Sequence, residues 1–194
     1  MRLIYLDDYT LGDPLFLNQL SRTMVKVKTP TILAHGARER LNRRLEAAGH
    51  LPGIDAEPNP EALADEVERA HREENRTIVH ALNEAHVSVV GVLAAQRRML
   101  HIVGDLPEAG DVAWLISLAS SGVVPVVSLA ASSEVGWQDG EAWQLMAALA
   151  AAMQVASGHC SVLHFRGATQ MDVLREALPP TVDIREVTLS ALTA

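Results

Sequence analysis

Three short stretches of this sequence hold the residue types most able to bind or move charge. The first is Ala34-His35-Gly36-Ala37-Arg38, where an apolar run breaks at His-Gly into a basic segment. A glycine-bearing turn between strand and helix offers unpaired backbone N–H groups to an anion, with Arg38 or Arg40 supplying charge. The second is Gly136-Trp137-Gln138-Asp139-Gly140-Glu141, whose Asp139 and Glu141 suit a cation or a metal. Gly36, Ala37, Arg38, Asp139 and Glu141 are therefore the candidate ligand-binding residues. The third is Asp7-Asp8, directly after the first apolar run. Neighbours on a strand point opposite ways, so this pair could share acid–base work only from a loop. Neither Gly-x-x-x-x-Gly-Lys-Ser/Thr nor Gly-x-Gly-x-x-Gly occurs, so the two standard nucleotide loops are absent.

Other groupings read more plainly. His159, Cys160 and His164 flank an apolar run whose alternation would split their side chains between two faces, so no metal site is assigned. His80 and His86 are six apart, off the spacing that puts two ligands on one helix face. Trp114, Trp137 and Trp143 could line a pocket near the candidate loops, or could fill the core or a partner interface.

The elements that must position these residues alternate between short apolar runs and helical stretches, the pattern of βαβ units. Strands are expected over Leu3–Leu6, Thr31–Ala34, Val87–Leu93, Met99–Val103, Val123–Val127, Ser161–Phe165 and Val182–Leu189. Val87–Leu93 is nearly all apolar and β-branched, which suggests a strand buried on both faces. Pro125 suggests that its strand ends or lies at an edge. Helices are expected from Asp13-Pro14 to Met24, from Arg38 to Ala48 with Gly49 beyond, and from Pro60 to His86 with a break near Glu73-Glu74-Asn75. Further helices follow Asp111, cover Glu141–Ala156, which is apolar nearly all round and so should be packed inside, and run from Thr169 to Leu178. Leu51–Pro60 reads as a loop. The whole is expected to be one α/β domain over 1–194, a three-layer αβα sandwich with a mainly parallel central sheet.

Composition narrows the partners. The 194 residues are 48% hydrophobic and 21% charged, with a formal net charge of −8. That balance fits a folded core rather than disorder, and it excludes a broad nucleic-acid footprint, which needs a clustered basic face. The Arg38–Arg44 stretch is a solvated helix face. A lone Cys160 excludes a disulfide framework and fits a reducing, cytoplasmic setting. No apolar run reaches the roughly 20 residues a spanning helix needs, so no membrane partner is expected.

Several of these stretches, in order, resemble the amino acid kinase family. Thr31 to Asn42, running on to Leu45-Glu46-Ala47-Ala48-Gly49-His50, is similar to that family's strand, His-Gly-Gly loop and following helix. Asn75-Arg76-Thr77-Ile78-Val79, leading into Val89-Val90-Gly91-Val92, resembles its Val-Asn-Lys block, and Ser117 to Val127 its Gly-Tyr-Ile-Pro-Val block. Asp139-Gly140-Glu141 resembles its Asn-Ala-Asp turn. The likeness is nearest to acetylglutamate kinase and the carrier-protein-linked aminoadipate kinase, and it runs across residues 1–165. It implies ATP- and magnesium-dependent phosphorylation of the carboxylate of an N-blocked acidic amino acid, in arginine or lysine biosynthesis. It also implies a homodimer through the helix starting near Pro60, or pairing with a true biosynthetic kinase.

The residues that carry such chemistry are largely replaced. Tyr5-Leu6-Asp7-Asp8 stands where the resemblance implies Lys-x-Gly-Gly, so a cation is lost and two acids face the phosphate position. Lys26 and Lys28 lie at the opposite end of the sheet. One glycine remains of the His-Gly-Gly-Gly loop, and no Arg-x-Thr-Asp element follows. Leu93-Ala94-Ala95-Gln96 replaces an Asp-Gly, and Glu141 stands for the organising Asp. Residues 166–194 are short for the ATP lobe. The expectation is a degenerate member with no cofactor and no assigned catalytic residue beyond Glu141. Its role would be regulatory or scaffolding; the alternatives are a surviving or altered kinase, or a binder of an anionic metabolite.

Overall fold

A computed structural model describes residues 1–50, 59–165 and 171–193. The chain order is β1 (Arg2–Leu6), α1 (Asp8–Leu11), α2 (Pro14–Met24), β2 (Thr31–His35), α3 (Arg38–Ala47), α4 (Pro60–Glu84) and β3 (Val89–Leu93). Then come β4 (Leu100–Val103), β5 (Leu106–Ala109), α5 (Ala113–Ser120), β6 (Val124–Ser128), β7 (Ala131–Ser133) and β8 (Gly136–Gln138). The last elements are α6 (Ala142–Ser157), β9 (Ser161–Phe165), α7 (Met171–Ala177), β10 (Asp183–Val187) and a 3₁₀ turn over Leu189–Thr193. Residues 51–58 of the expected Leu51–Pro60 loop and the start of the expected Thr169–Leu178 helix lie outside the described residues, while Asn59 caps α4 and Pro60 opens it.

Six strands form one sheet in the order β10-β9-β1-β2-β6-β3, all parallel. Side-chain alternation splits each strand between two cores. Leu3 and Tyr5 pack with Leu115, Leu145, Leu149 and Leu174 of α5, α6 and α7. Ile4 and Leu6 pack on the other face with Leu20, Ile78 and Leu82 of α2 and α4. This is the three-layer α/β sandwich expected from the sequence. A smaller sheet, β5-β4-β7-β8, carries two hairpins beyond the ends of β3 and β6. Among the described residues no helix is long and apolar enough to cross a membrane.

Four local expectations are corrected or narrowed. β3 pairs only with β6, so it is the edge of the large sheet, and Gly91 is exposed rather than covered. Its apolar side chains nevertheless pack on both faces, Val89 with the core under α4 and Val90 and Val92 with the core under α5 and α6. Pro125 is the second residue of β6, an interior strand, so it marks the strand's start and not a sheet edge; Val124 donates to Ser88 on the β3 side, and the ladder to β2 starts only at Val126. The prolyl nitrogen therefore sits where no donor is needed. α4 runs unbroken through Glu73-Glu74-Asn75, because all three side chains bond to other elements instead of to their own backbone. α6 buries Leu145, Met146, Leu149, Ala150 and Met153, while Val155 is exposed, so it covers one face rather than filling the interior.

The β7–β8 hairpin docks on α4 at Gly136, whose φ is +116° and where an added Cβ would lie 2.8 Å from the Ala64 Cβ. Both the backbone conformation and the close approach require glycine. At Gly104 φ is +62° but an added Cβ meets nothing within 4 Å. Gly136→Ala is expected to cost about 2–3 kcal/mol against about 1 kcal/mol for Gly104→Ala. Thermal unfolding of the two variants checks the difference, which corresponds to a few degrees.

Candidate functional site

The site forms where the ends of β1, β2 and β6 meet the β7–β8 hairpin, with α4 behind them. β1 ends in Asp7-Asp8. Asp7 is buried and caps α1, its Oδ1 accepting from the Thr10 amide at 2.9 Å and from the Thr10 hydroxyl. That leaves Asp8 as the carboxylate at the strand end. Burial, then Asp139, Glu74, Glu39 and Asp7 in turn, push its pKa up to about 6. The phenol of Tyr5, deeper in β1, is pushed up by burial first and then by Asp8, Asp7, Asp139 and Glu141.

β2 supplies His35, Gly36, Ala37 and Arg38. An added Cβ at Gly36 would be 4.0 Å from the Asp8 carboxylate, so an acid faces this turn. Ala37 is fully buried at the N-cap of α3, with no side-chain cap. Arg38 reaches across to the second predicted loop: its Nε lies 2.8 Å from Asp139 Oδ2, and it donates to the Asp139 carbonyl at 3.1 Å. The same guanidinium lies 4.0 Å from Glu141, at the N-cap of α6. The two loops singled out in the sequence are therefore in contact. Of their acids, Asp139 is the buried one, at 7% exposure, and Glu141 is half-exposed at 52%. Arg40 pairs with Glu74 at 2.6 Å. Lys26 and Lys28 are exposed in the turn before β2, at the far end of the sheet.

α4 contributes residues that the sequence analysis did not place in the site. His71 and Asn75 are buried, in line with Ala64, Val67, Ile78 and Leu82. His71 Nε2 is 3.2 Å from Asp139 Oδ1. Asn75 donates one amide hydrogen to His35 Nε2 at 3.0 Å and the other to the Val126 carbonyl at 2.8 Å. His35 Nδ1 donates to the Gly36 carbonyl at 2.8 Å. Those two bonds assign the neutral Nδ1-H tautomer, and full burial pushes the imidazole pKa down to about 3. The available signal was the apolar stripe of α4, interrupted at polar His71 and Asn75 with four-residue spacing.

The remaining candidates are dispersed. Trp137 packs beside α4, 5.8 Å from the Arg72 guanidinium, whereas Trp114 and Trp143 pack against the core under α5 and α6. They do not share one pocket. Cys160 is buried, its thiol pushed up to about 11 by burial. Among the described residues no group of three or more His, Cys, Asp or Glu is placed to hold a metal ion.

Two substitutions follow from this geometry. The folded state holds the Asp8 proton more tightly than the unfolded chain does, from the ordinary 3.8 up to about 6. Asp8 therefore loses stabilising effect as pH rises through that window, and ionised Asp8 is unfavourable above it. Asp8→Asn is expected to raise stability by about 1–2 kcal/mol at pH 7–8, after allowance for solvent screening, and to give no gain at pH 4. Melting temperatures across pH 4–8 check this. Asn75→Asp aims a carboxylate at two acceptors, His35 Nε2 and the Val126 carbonyl. It is expected to cost about 2–4 kcal/mol at pH 7.5 and less at pH 5.5, where a proton can bridge carboxylate and imidazole, as read by denaturant unfolding.

No protein-family model and no curated protein sequence matches the chain. Solved structures do. The chain is similar to isopentenyl phosphate kinase, with a TM-score of 0.66 and 11% identity over 98% of this chain and 92% of that one. N-acetylglutamate synthase from Neisseria gonorrhoeae, in a complex with coenzyme A and N-acetyl-glutamate, matches at 0.61 and 16% identity, over 84% of this chain and 41% of that one. Aspartate kinase from Synechocystis matches at 0.62 and 14% identity, over 84% and 28%. These neighbours share the amino acid kinase fold, and the likeness shows that this chain has it too.

Proposed function

We propose that this chain uses the amino acid kinase fold without phosphoryl transfer, as a regulatory or scaffolding protein that associates with itself or with a biosynthetic kinase. Phosphoryl transfer is mostly positioning and charge neutralisation, so an enzyme of this kind needs uncommitted positive charge where the phosphates lie. The observation that carries the reading is the charge at the carboxyl ends of β1 and β2. Asp8 stands there with a raised pKa, and the nearby Arg38 and Arg40 are paired with Asp139 and Glu74. Two like unit charges about 4 Å apart repel by about 4 kcal/mol at an effective dielectric of 20, so a polyphosphate meets opposition here. The same pairing disfavours an anionic metabolite between Gly36 and Glu141.

The likeness to isopentenyl phosphate kinase spans nearly all of that chain. The reading therefore rests on the charges, and not on treating residues 166–194 as a shortened nucleotide lobe. Self-association through α4 would use a polar surface, since Glu61, Asp65, Arg69 and Arg72 face outward there. Such an interface would weaken with salt. A cytoplasmic setting belongs to the same proposal.

The test combines nucleotide binding with mass. ATP with magnesium at 5 mM is expected to leave the melting temperature unchanged, while light scattering at low salt gives twice the chain mass. A ligand at 100 times its Kd adds about 2.7 kcal/mol, a readily measured shift. Such a shift, or transfer of labelled phosphate to acetylglutamate or a carrier-bound aminoadipate that Asp139→Asn abolishes, would overturn the proposal in favour of an active kinase.

A further inference from the structure

The crossover from β1 to β2 passes through α2 on one face of the sheet, and that from β9 to β10 through α7 on the other. Adjacent strands β1 and β9 thus send their chains in opposite directions, and the carboxyl ends of such a pair form a crevice by topology alone. A cleft of about 680 Å³ lies there, a volume that suits a small molecule. It adjoins the site described above, with which it shares Asp8, and lies on the β9 side of the Arg38–Asp139 junction.

We infer that this cleft binds a small organic cation, an ammonium group carried on an apolar body. Its lining combines the acids Asp8, Asp13 and Glu39 with the apolar residues Phe16, Phe165 and Leu189. Phe16 and Phe165 meet edge to face with centroids 4.8 Å apart, which fixes an aromatic surface. Among the described residues, those lining the cleft include no Lys, Arg or His. The three acids are not equivalent. Asp13 accepts from the Leu15 amide, and Glu39 pairs with Arg43 one turn along α3. Asp8 has no hydrogen-bond or ion-pair partner among the described residues, so it is the carboxylate free to receive an N–H donor.

An ammonium at Asp8 gains a charge-assisted hydrogen bond, and the aromatic pair favours a cation with an apolar body over a hydrated metal ion. The described acids do not converge as a metal-ligand set, which points the same way. A nucleotide or dicarboxylate would instead face three acids. The inference rests on the proposed absence of a phosphate site at the end of β1.

The probe is phenethylammonium chloride, titrated calorimetrically into the full chain at pH 7.5, with 2-phenylethanol as its neutral counterpart. Binding is expected with a Kd below about 1 mM, at least tenfold weaker for the alcohol, and at least tenfold weaker in Asp8→Asn. Phe165→Leu should weaken it severalfold, with the fold checked by circular dichroism. No heat from the amine up to 10 mM, equal binding of amine and alcohol, or an unchanged Kd in a folded Asp8→Asn variant each overturns the inference. If the amine fails and ATP with magnesium also fails to bind, only this inference falls. If ATP with magnesium binds and displaces the amine, the non-kinase reading falls with it.

Discussion

Asn75 holds three elements in one arrangement. Its amide nitrogen donates to an imidazole on β2 and to a carbonyl on β6, so α4 cannot rotate or slide without leaving two buried acceptors unpaired. An unpaired buried group costs about 1–3 kcal/mol, and this side chain serves two. Gly91 on β3 sits so close that an added Cβ would lie 2.2 Å from Asn75 Oδ1, so the sheet edge also depends on the position of this amide. With α4 fixed, His71, one turn away, lies beneath Asp139, and Asp139 in turn receives Arg38.

That arrangement explains the charge of the site. Burial keeps His35 neutral, with Asn75 donating to its Nε2, so the histidine of the β2 loop adds no positive charge where an anion would lie. Arg38 and Arg40 are drawn to Asp139 and Glu74. Asp8 is left with acids on several sides and a raised pKa. The site's electrostatics thus follow from where one helix is anchored, together with the Asp7-capped α1 at the end of β1. The fold is the amino acid kinase fold, and at its strand ends Asp8 stands near Asp139, Glu74 and Glu39.

Much of the architecture was legible because most of the parallel strands are short apolar runs and some helix ends are marked: Asp13-Pro14 opens α2, and Gly49, with φ of +87°, follows α3. Strand order was not legible. β3 is as apolar as its interior neighbours, and nothing local distinguishes an edge strand packed under a helix from a central one. Pro125 left a strand end and a sheet edge both open for the same reason, since its tolerance depends on where the ladder to β2 begins. The two candidate loops are in contact because the β7–β8 hairpin brings Asp139 to Arg38 at the end of β2. The pairing of Arg38 with Asp139, 101 positions apart, could not be read from spacing. His71 and Asn75 sat in view within the α4 stripe, where polar residues at core positions point to a buried network.

The central claim is that the carboxyl end of β1 is an acid-crowded position. The ¹³C-detected titration of the Asp8 carboxyl group tests it directly. A midpoint near pH 6 is the predicted result. A midpoint near 3.8, the value of an ordinary aspartate, would show that positive charge or solvent balances the neighbouring acids, and would contradict the account.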